Sequence, residues 1–148
     1  MSGEKIEKAA SYFDNGFCCS QAVFTTFATE YGISEELALK MSTQFGGGAR
    51  KGEMCGSVSG ALMALGLKYG FSDGMAQEEK DKAHQKAEEF MNRFIEKKGT
   101  VVCRELLGHD LSKPGELEKC RELGIFRTFC PKMVRCAAEI VEQMLQED

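Results

Sequence analysis

Proline is scarce in this sequence. Pro114 and Pro131 are the only two in 148 residues, so no helix before Pro114 meets a fixed φ or a missing N–H. No segment alternates apolar and polar residues as a half-buried strand does, which excludes a sheet-based core. The run Met54–Leu67, without a charged side chain, has fourteen residues. That is too short to cross a bilayer, so no membrane insertion is expected and the run is read as a buried helix. The first thirteen residues, MSGEKIEKAASYF, contain no apolar stretch of the secretory type. A basic excess is also missing. The formal net charge is -4, which argues against nucleic acid as a partner. There is no C-x-x-C, so neither a thioredoxin motif nor a zinc knuckle is present, and no C-x-x-C-H for c-type haem. GGGARKG at 46–52 lacks the G-K-[ST] ending of a phosphate loop and does not follow a strand. The two histidines, His84 and His109, stand apart from each other and are read as a polar helix residue and a loop residue.

What is present is cysteine. There are seven, about 5% of the chain, below the level that marks a secreted disulfide scaffold. The count is odd and no export signal accompanies it. Metal or redox chemistry in a reducing, cytoplasmic setting is the better expectation. At 43% hydrophobic and 28% charged residues, the chain reads as one globular domain over 1–148.

The apolar spacing is helical throughout, and the expected fold is an all-α single-domain bundle of about five main helices plus short ones. The first spans Glu4 to Asp14 with Ile6, Ala9, Ala10 and Phe13 inward. The second runs from about Phe17 to Tyr31 and stops at Gly32. Ser34 caps the third, which ends at Gly46, Gly47 and Gly48. The fourth starts near Glu53 and stops at Gly70. The fifth spans about Ala76 to Lys98, with Ala83, Ala87, Phe90, Phe94 and Ile95 as its stripe. Short helices follow over Cys103–Leu107 and 116–123, separated by a loop from Gly108 to Gly115. Pro131 opens the last helix, to about Leu145, with Met133, Val134, Ala137, Ile140, Val141 and Met144 inward.

Four cysteines fall at expected helix starts: Cys19, Cys55, Cys103 and Cys130. A helix N-terminus offers unpaired N–H donors and partial positive charge, which favour thiolate and suit an anionic sulfur cluster. For any one of them, simple core packing is an equal competitor; for the four together, a shared site is the better reading. Cys18, Cys120 and Cys136 are read as core. Cys18 and Cys19 project roughly 100° apart, so one turn does not aim both at one centre. Gly46, Gly47, Gly48 and Gly56 would admit backbone N–H groups close to sulfur, and Arg50 and Lys51 would place positive charge near Cys55. Gly56 and Gly60, with Ala61 and Ala64, make a small-residue face read as close helix packing.

Cys19-Ser20-Gln21-Ala22-Val23, the box Cys55-Gly56-Ser57-Val58-Ser59-Gly60-Ala61 behind the triple glycine, Cys103-Arg104-Glu105-Leu106-Leu107-Gly108, and Cys130 followed by Val134 and Ala137-Ala138 together resemble the redox-active family named for its C-GCAxxG-C-C cysteine pattern. Ser57 departs from it, standing where the family's C-G-A-x-x-G box has alanine. The resemblance covers nearly the whole chain and implies an all-helical domain with a redox role. A similar domain precedes the haem part of split-Soret cytochromes, where cysteines hold an iron–sulfur cluster; the haem-binding part has no counterpart here.

The first functional expectation is therefore an iron–sulfur electron carrier or redox sensor, with Cys19, Cys55, Cys103 and Cys130 as metal ligands, Gly46, Gly47, Gly48 and Gly56 around the cofactor, and an unidentified redox partner. The second is a cluster-free thiol–disulfide oxidoreductase with Cys55 as the attacking thiolate. The third is a non-catalytic helical binding module. A homodimer is also expected, from the small-residue face of the fourth helix and the alanine, methionine and valine face of the last.

Overall fold

The computed structural model describes residues 3–147. The elements in order are α1 (Glu4–Asp14), α2 (Cys19–Ala28), α3 (Glu35–Ser42), α4 (Gly56–Tyr69), α5 (Gln77–Lys98), α6 (Cys103–Leu107), α7 (Glu116–Glu122), α8 (Ile125–Thr128) and α9 (Cys130–Gln146). No strand occurs among the described residues, so the all-α expectation holds.

Helix α2 is the central rod. Every residue from Ser20 to Ala28 except Gln21 is buried, as befits a helix surrounded on all sides. It packs on α4, α1, α3 and α9, while α5 closes the far side against α4 and α9. Phe24, Phe27, Phe90, Phe94, Ile140 and Met144 fill the centre. The inward face expected for α9 is the buried face. In α5, Phe90 and Phe94 are buried but Ile95 is 40% exposed, because the next position around the helix turns toward solvent.

Crossing of α2 and α4 is close because α4 begins with small residues. A Cβ at Gly60 would lie 2.6 Å from the Ser20 carbonyl oxygen, so only glycine lets the two backbones approach there. Ala61 and Ala64 are buried at the same face. The surfaces that suggested a dimer, this face and the inner face of α9, are thus spent inside the chain's own core.

Three boundaries differ from the sequence reading. Helix α2 begins at Cys19, with Cys18 extended as its cap: the Cys18 N–H donates to Gln21 Oε1 at 2.9 Å. Helix α4 begins at Gly56, not near Glu53, because residues 53–55 run antiparallel to 101–103. Met54 pairs with Val102, the Cys55 N–H donates to Val101 O at 2.8 Å, and the Cys103 N–H to Glu53 O at 2.5 Å. Helix α8 was not expected; Gly124, in the left-handed region at φ 72°, ends the preceding turn and lets Ile125 start another.

The glycine-rich loop holds the only non-glycine residues with positive φ among the described residues. Gly47 (φ 65°), Gly48 (φ 63°), Ala49 (φ 56°) and Arg50 (φ 66°) lie consecutively in the left-handed region. Four such residues in sequence make one turn of mirror-handed helix. Glycine adopts it freely, whereas for Ala49 and Arg50 it costs roughly 1–2 kcal/mol each.

Candidate functional site

The α2–α4 crossing sets two cysteines side by side. Cys19 is the first residue of α2 and Cys55 caps α4. Their side chains act on each other, lowering the Cys55 thiol and raising that of Cys19. The short antiparallel bridge then lays Cys103, at the start of α6, beside Cys55. Cys130 is the first residue of α9. All four, together with Cys18, line one cavity of about 620 Å³. All seven cysteines are free thiols.

Three glycines are what allow this gathering, each against a different cysteine. A Cβ at Gly46 would fall 2.7 Å from Cys18 Cβ and 2.8 Å from its sulfur. One at Gly48 would fall 2.8 Å from Cys103 Cβ. One at Gly56 would fall 2.5 Å from the Cys19 sulfur, so any side chain there separates Cys19 from Cys55. Gly47 acts differently, its N–H donating toward the Cys19 sulfur. The glycine run and the Cys-Gly helix start thus let the backbone pass within contact of several sulfurs.

The thiols differ in acidity. Cys55 is held below the usual thiol value, first by the Cys19 side chain, with the Ser57 N–H adding to it; burial and the proximity of Cys103 oppose the shift. Cys19 is pushed well above that value, first by the Cys55 side chain and then by burial, against N–H donation from Gly47 and Ser20. The pair therefore gives up its first proton readily and its second with difficulty. We assign the first to Cys55, since that residue stands at the N-terminus of the fourteen-residue α4. Burial pushes Cys103 and Cys130 each up to about 12, and it raises Cys136 and Cys120 as well. The expectation that a helix start favours thiolate at all four positions thus holds at one. At Cys19, Cys103 and Cys130 the shift runs the other way: the Cys55 side chain dominates at the first, desolvation at the other two.

Other expectations are redrawn too. Arg50 lines the cavity, and its charge bears on Cys103; Lys51 is exposed and lines nothing there. Cys18 does not pack in the core but caps α2 and lines the cavity, its sulfur donating to Gln21 Oε1 at 3.2 Å. Cys136 and Cys120 are buried, Cys136 within the main core and Cys120 close enough to Cys103 and Cys130 to raise both. His109 Nδ1 lies 3.1 Å from Glu116 Oε1, away from the thiols. The Ser57 hydroxyl is fully buried with no nitrogen or oxygen partner and bears only weakly on Cys55. The sequence reading did not find the cavity's apolar wall, which includes Phe13, Phe17, Leu106, Phe126 and Phe129. Its signal was the large apolar residue within three positions of Cys19, Cys103 and Cys130.

The family model described as "Putative redox-active protein (C_GCAxxG_C_C)" matches residues 17–144. The chain belongs to this family. The C_GCAxxG_C_C match begins just before Cys19 and ends beyond Cys130, so every thiol of the cavity lies inside it. No curated protein and no solved structure matches the chain. A redox role for a cysteine-rich helical member of the C_GCAxxG_C_C family therefore rests on the family and on the thiols themselves. Among the described residues, no three of His, Cys, Asp and Glu stand close enough to hold a single metal ion, and no helix is long and apolar enough to cross a membrane.

Proposed function

We propose that this chain is a thiol-based redox protein in which Cys55 and Cys19 pass between dithiol and disulfide. The observation that carries the reading is the placement of Cys19 and Cys55 together at the start of α4, both lining one cavity, with Cys55 acidified and Cys19 not. An attacking thiol works best as thiolate, and its resolving partner must be within reach. The Cys55 thiolate attacks one sulfur of a substrate disulfide R–S–S–R′; that bond breaks, and R′–S⁻ leaves and takes a proton. The Cys19 sulfur then attacks Cys55 in the mixed disulfide and releases R–S⁻, which takes the Cys19 proton. Two thiols have formed, two electrons have moved, and the protein holds a Cys19–Cys55 disulfide. A second dithiol must reduce it for turnover, which is the role of the expected redox partner.

The test is mass spectrometry after limited oxidation of metal-free protein. The expected product is a 19–55 disulfide formed ahead of any other pairing. Its absence, or a Cys55 no more reactive to iodoacetamide at pH 7 than Cys103, would sink the reading.

A second reading has its own observation: Cys103 and Cys130 face the same cavity as Cys19 and Cys55, and a dithiol enzyme has no use for them. Four thiols from four helices are the donor set of an iron–sulfur cluster, and a bound cluster would supply one-electron transfer. Under this reading Cys19, Cys55, Cys103 and Cys130 would hold it. The N–H groups of Gly47, Ser20 and Ser57 would donate to the ligand sulfurs. Anaerobic reconstitution with iron and sulfide assays decides: a stoichiometric cluster lost on changing the four cysteines to serine favours it, and no bound iron removes it.

A further inference from the structure

The cavity contains more than sulfur, and the rest of it points to what enters. Its walls are apolar, with Phe13, Phe17, Leu106, Phe126 and Phe129 around the thiols. At about 620 Å³ it falls in the range of pockets that enclose a small organic molecule. Its charged lining is cationic: Arg50, Arg121 and Arg127 stand against the single carboxylate of Asp14. That balance is the reverse of the whole chain, where 23 acidic residues outnumber 19 basic ones.

The three arginines are not equally available. Arg121 is paired with Glu118 at 3.0 Å. Arg50 and Arg127 form no ion pair or side-chain hydrogen bond among the described residues. Arg50 is, in addition, a non-glycine residue in the left-handed region, at φ 66°, a conformation retained where the surroundings or the function require it. A guanidinium matches a carboxylate in a planar two-point contact that an ammonium does not make.

We propose that the cavity admits a small organic disulfide with an aromatic or similarly apolar body and a carboxylate, the body against Phe17, Phe126 and Phe129 and the carboxylate at Arg50 and Arg127. The inference rests on the thiol reading above for its chemistry, but the pocket's preference for an apolar anion stands apart from it. The reaction is the exchange already described. Cys55 takes one sulfur of the ligand and expels the other half as a carboxylate-bearing thiol. Cys19 then releases the second half, leaving the protein disulfide and two free thiols.

Two measurements test it. In the first, full-length protein is mixed with three disulfides: the anionic dithiobis(nitrobenzoate), the neutral dithiodipyridine and the cationic cystamine. Single-turnover thiol release is divided by each reagent's rate with a free thiol in the same buffer. Anion is expected over neutral by about tenfold and neutral over cation by a smaller factor, as befits charge steering toward a cationic lining. The anion-to-neutral ratio should fall to near one in Arg50→Gln/Arg127→Gln. In the second, fluorescence titration with anilinonaphthalene sulfonate, an apolar anion, is run on Cys55→Ser, which cannot do the chemistry. Binding is expected there and should weaken about tenfold when the two arginine changes are added; circular dichroism confirms that each variant is folded.

If the sulfonate binds equally with and without the arginines, the inference is overturned whatever the thiols do. If it depends on them but no disulfide is consumed, the disulfide part falls together with the thiol reading and the anion pocket stands.

Discussion

Cys55 and Cys130 occupy nearly the same station, each at the head of a long helix, and end with opposite chemistry. Ahead of Cys55 the chain is extended, so the first N–H groups of α4 have no earlier turn to serve. Cys19, and to a lesser degree the Ser57 N–H, hold the Cys55 thiol low against its burial. Ahead of Cys130 the chain is already helical. Phe129 N–H donates to Ile125 O at 2.9 Å, Lys132 N–H to Phe129 O at 3.0 Å, and Pro131 has no N–H to give. Among the described residues nothing donates to the Cys130 sulfur, burial goes unopposed, and its thiol rises to about 12. The lesson is that a helix start acidifies a thiol through free donors aimed at sulfur, and a preceding turn or a proline removes them.

The largest effect that would sharpen this contrast is in alkaline stability. Cys103 and Cys130 are raised on folding, so their stabilisation is complete below the unfolded thiol value and fades as pH climbs toward about 12. Each should steepen the loss by up to about 1.4 kcal/mol per pH unit between roughly pH 9 and 12. Cys55 has the opposite sign: its contribution is present above the unfolded value and is lost as pH falls through its lowered one. Urea unfolding from pH 8 upward should show a shallower decline in Cys130→Ala than in wild type; parallel curves would contradict the assigned shift.

Next in size, Gly56→Ala should break the site and cost about 2 kcal/mol, because the new methyl cannot share space with the Cys19 sulfur. Gly66→Ala is the control in the same helix. Nothing lies within 4 Å of a Cβ there, so it should gain roughly 0.5–1 kcal/mol. Chemical denaturation distinguishes the two, and equal effects would mean that α2 and α4 are not in contact at Gly56.

Cys19→Ala removes the chief acidifying neighbour and leaves α4 in place. Iodoacetamide labelling of Cys55 at pH 7 should slow about three- to tenfold, with its inflection moved up toward the ordinary thiol range. Labelling as fast as in wild type would show that the helix alone acidifies Cys55. The smallest change is Ser57→Ala. It deletes a buried hydroxyl without a partner, so stability should hold or rise by under about 1 kcal/mol while the Cys55 inflection moves up slightly. A large drop in thermal midpoint would reveal a hydrogen bond to Ser57 in solution.

Much of this arrangement was legible in the sequence, for local reasons. Gly32, ending the 3-10 turn Thr29–Tyr31 that follows α2, and Gly99, ending α5, take the left-handed conformation that glycine stops imply, Ser34 caps α3 by accepting from the Leu37 N–H at 3.1 Å, and the stripe of α9 is its buried face. Periodicity and caps act within a few residues, so they can be read from a few residues. What was not legible depends on partners far along the chain. Glu53 and Met54 look helical until Val102 and Cys103 arrive to pair with them. Cys18 looks like core until Gly46 leaves it room at the cavity edge. The acidity of Cys55 hangs on Cys19, and the pocket's apolar wall gathers Phe13, Phe126 and Phe129 from opposite ends of the chain.

The mirror-handed turn at Gly47–Arg50 has a consequence for anyone who evolves this protein in the laboratory. Ala49 and Arg50 each sit where glycine would be more stable by about 1 kcal/mol. Selection for heat resistance alone would therefore enrich glycine at position 50. The cation lining the cavity would disappear from the winners, and the hardiest clones would be those least able to hold an anion beside the thiols.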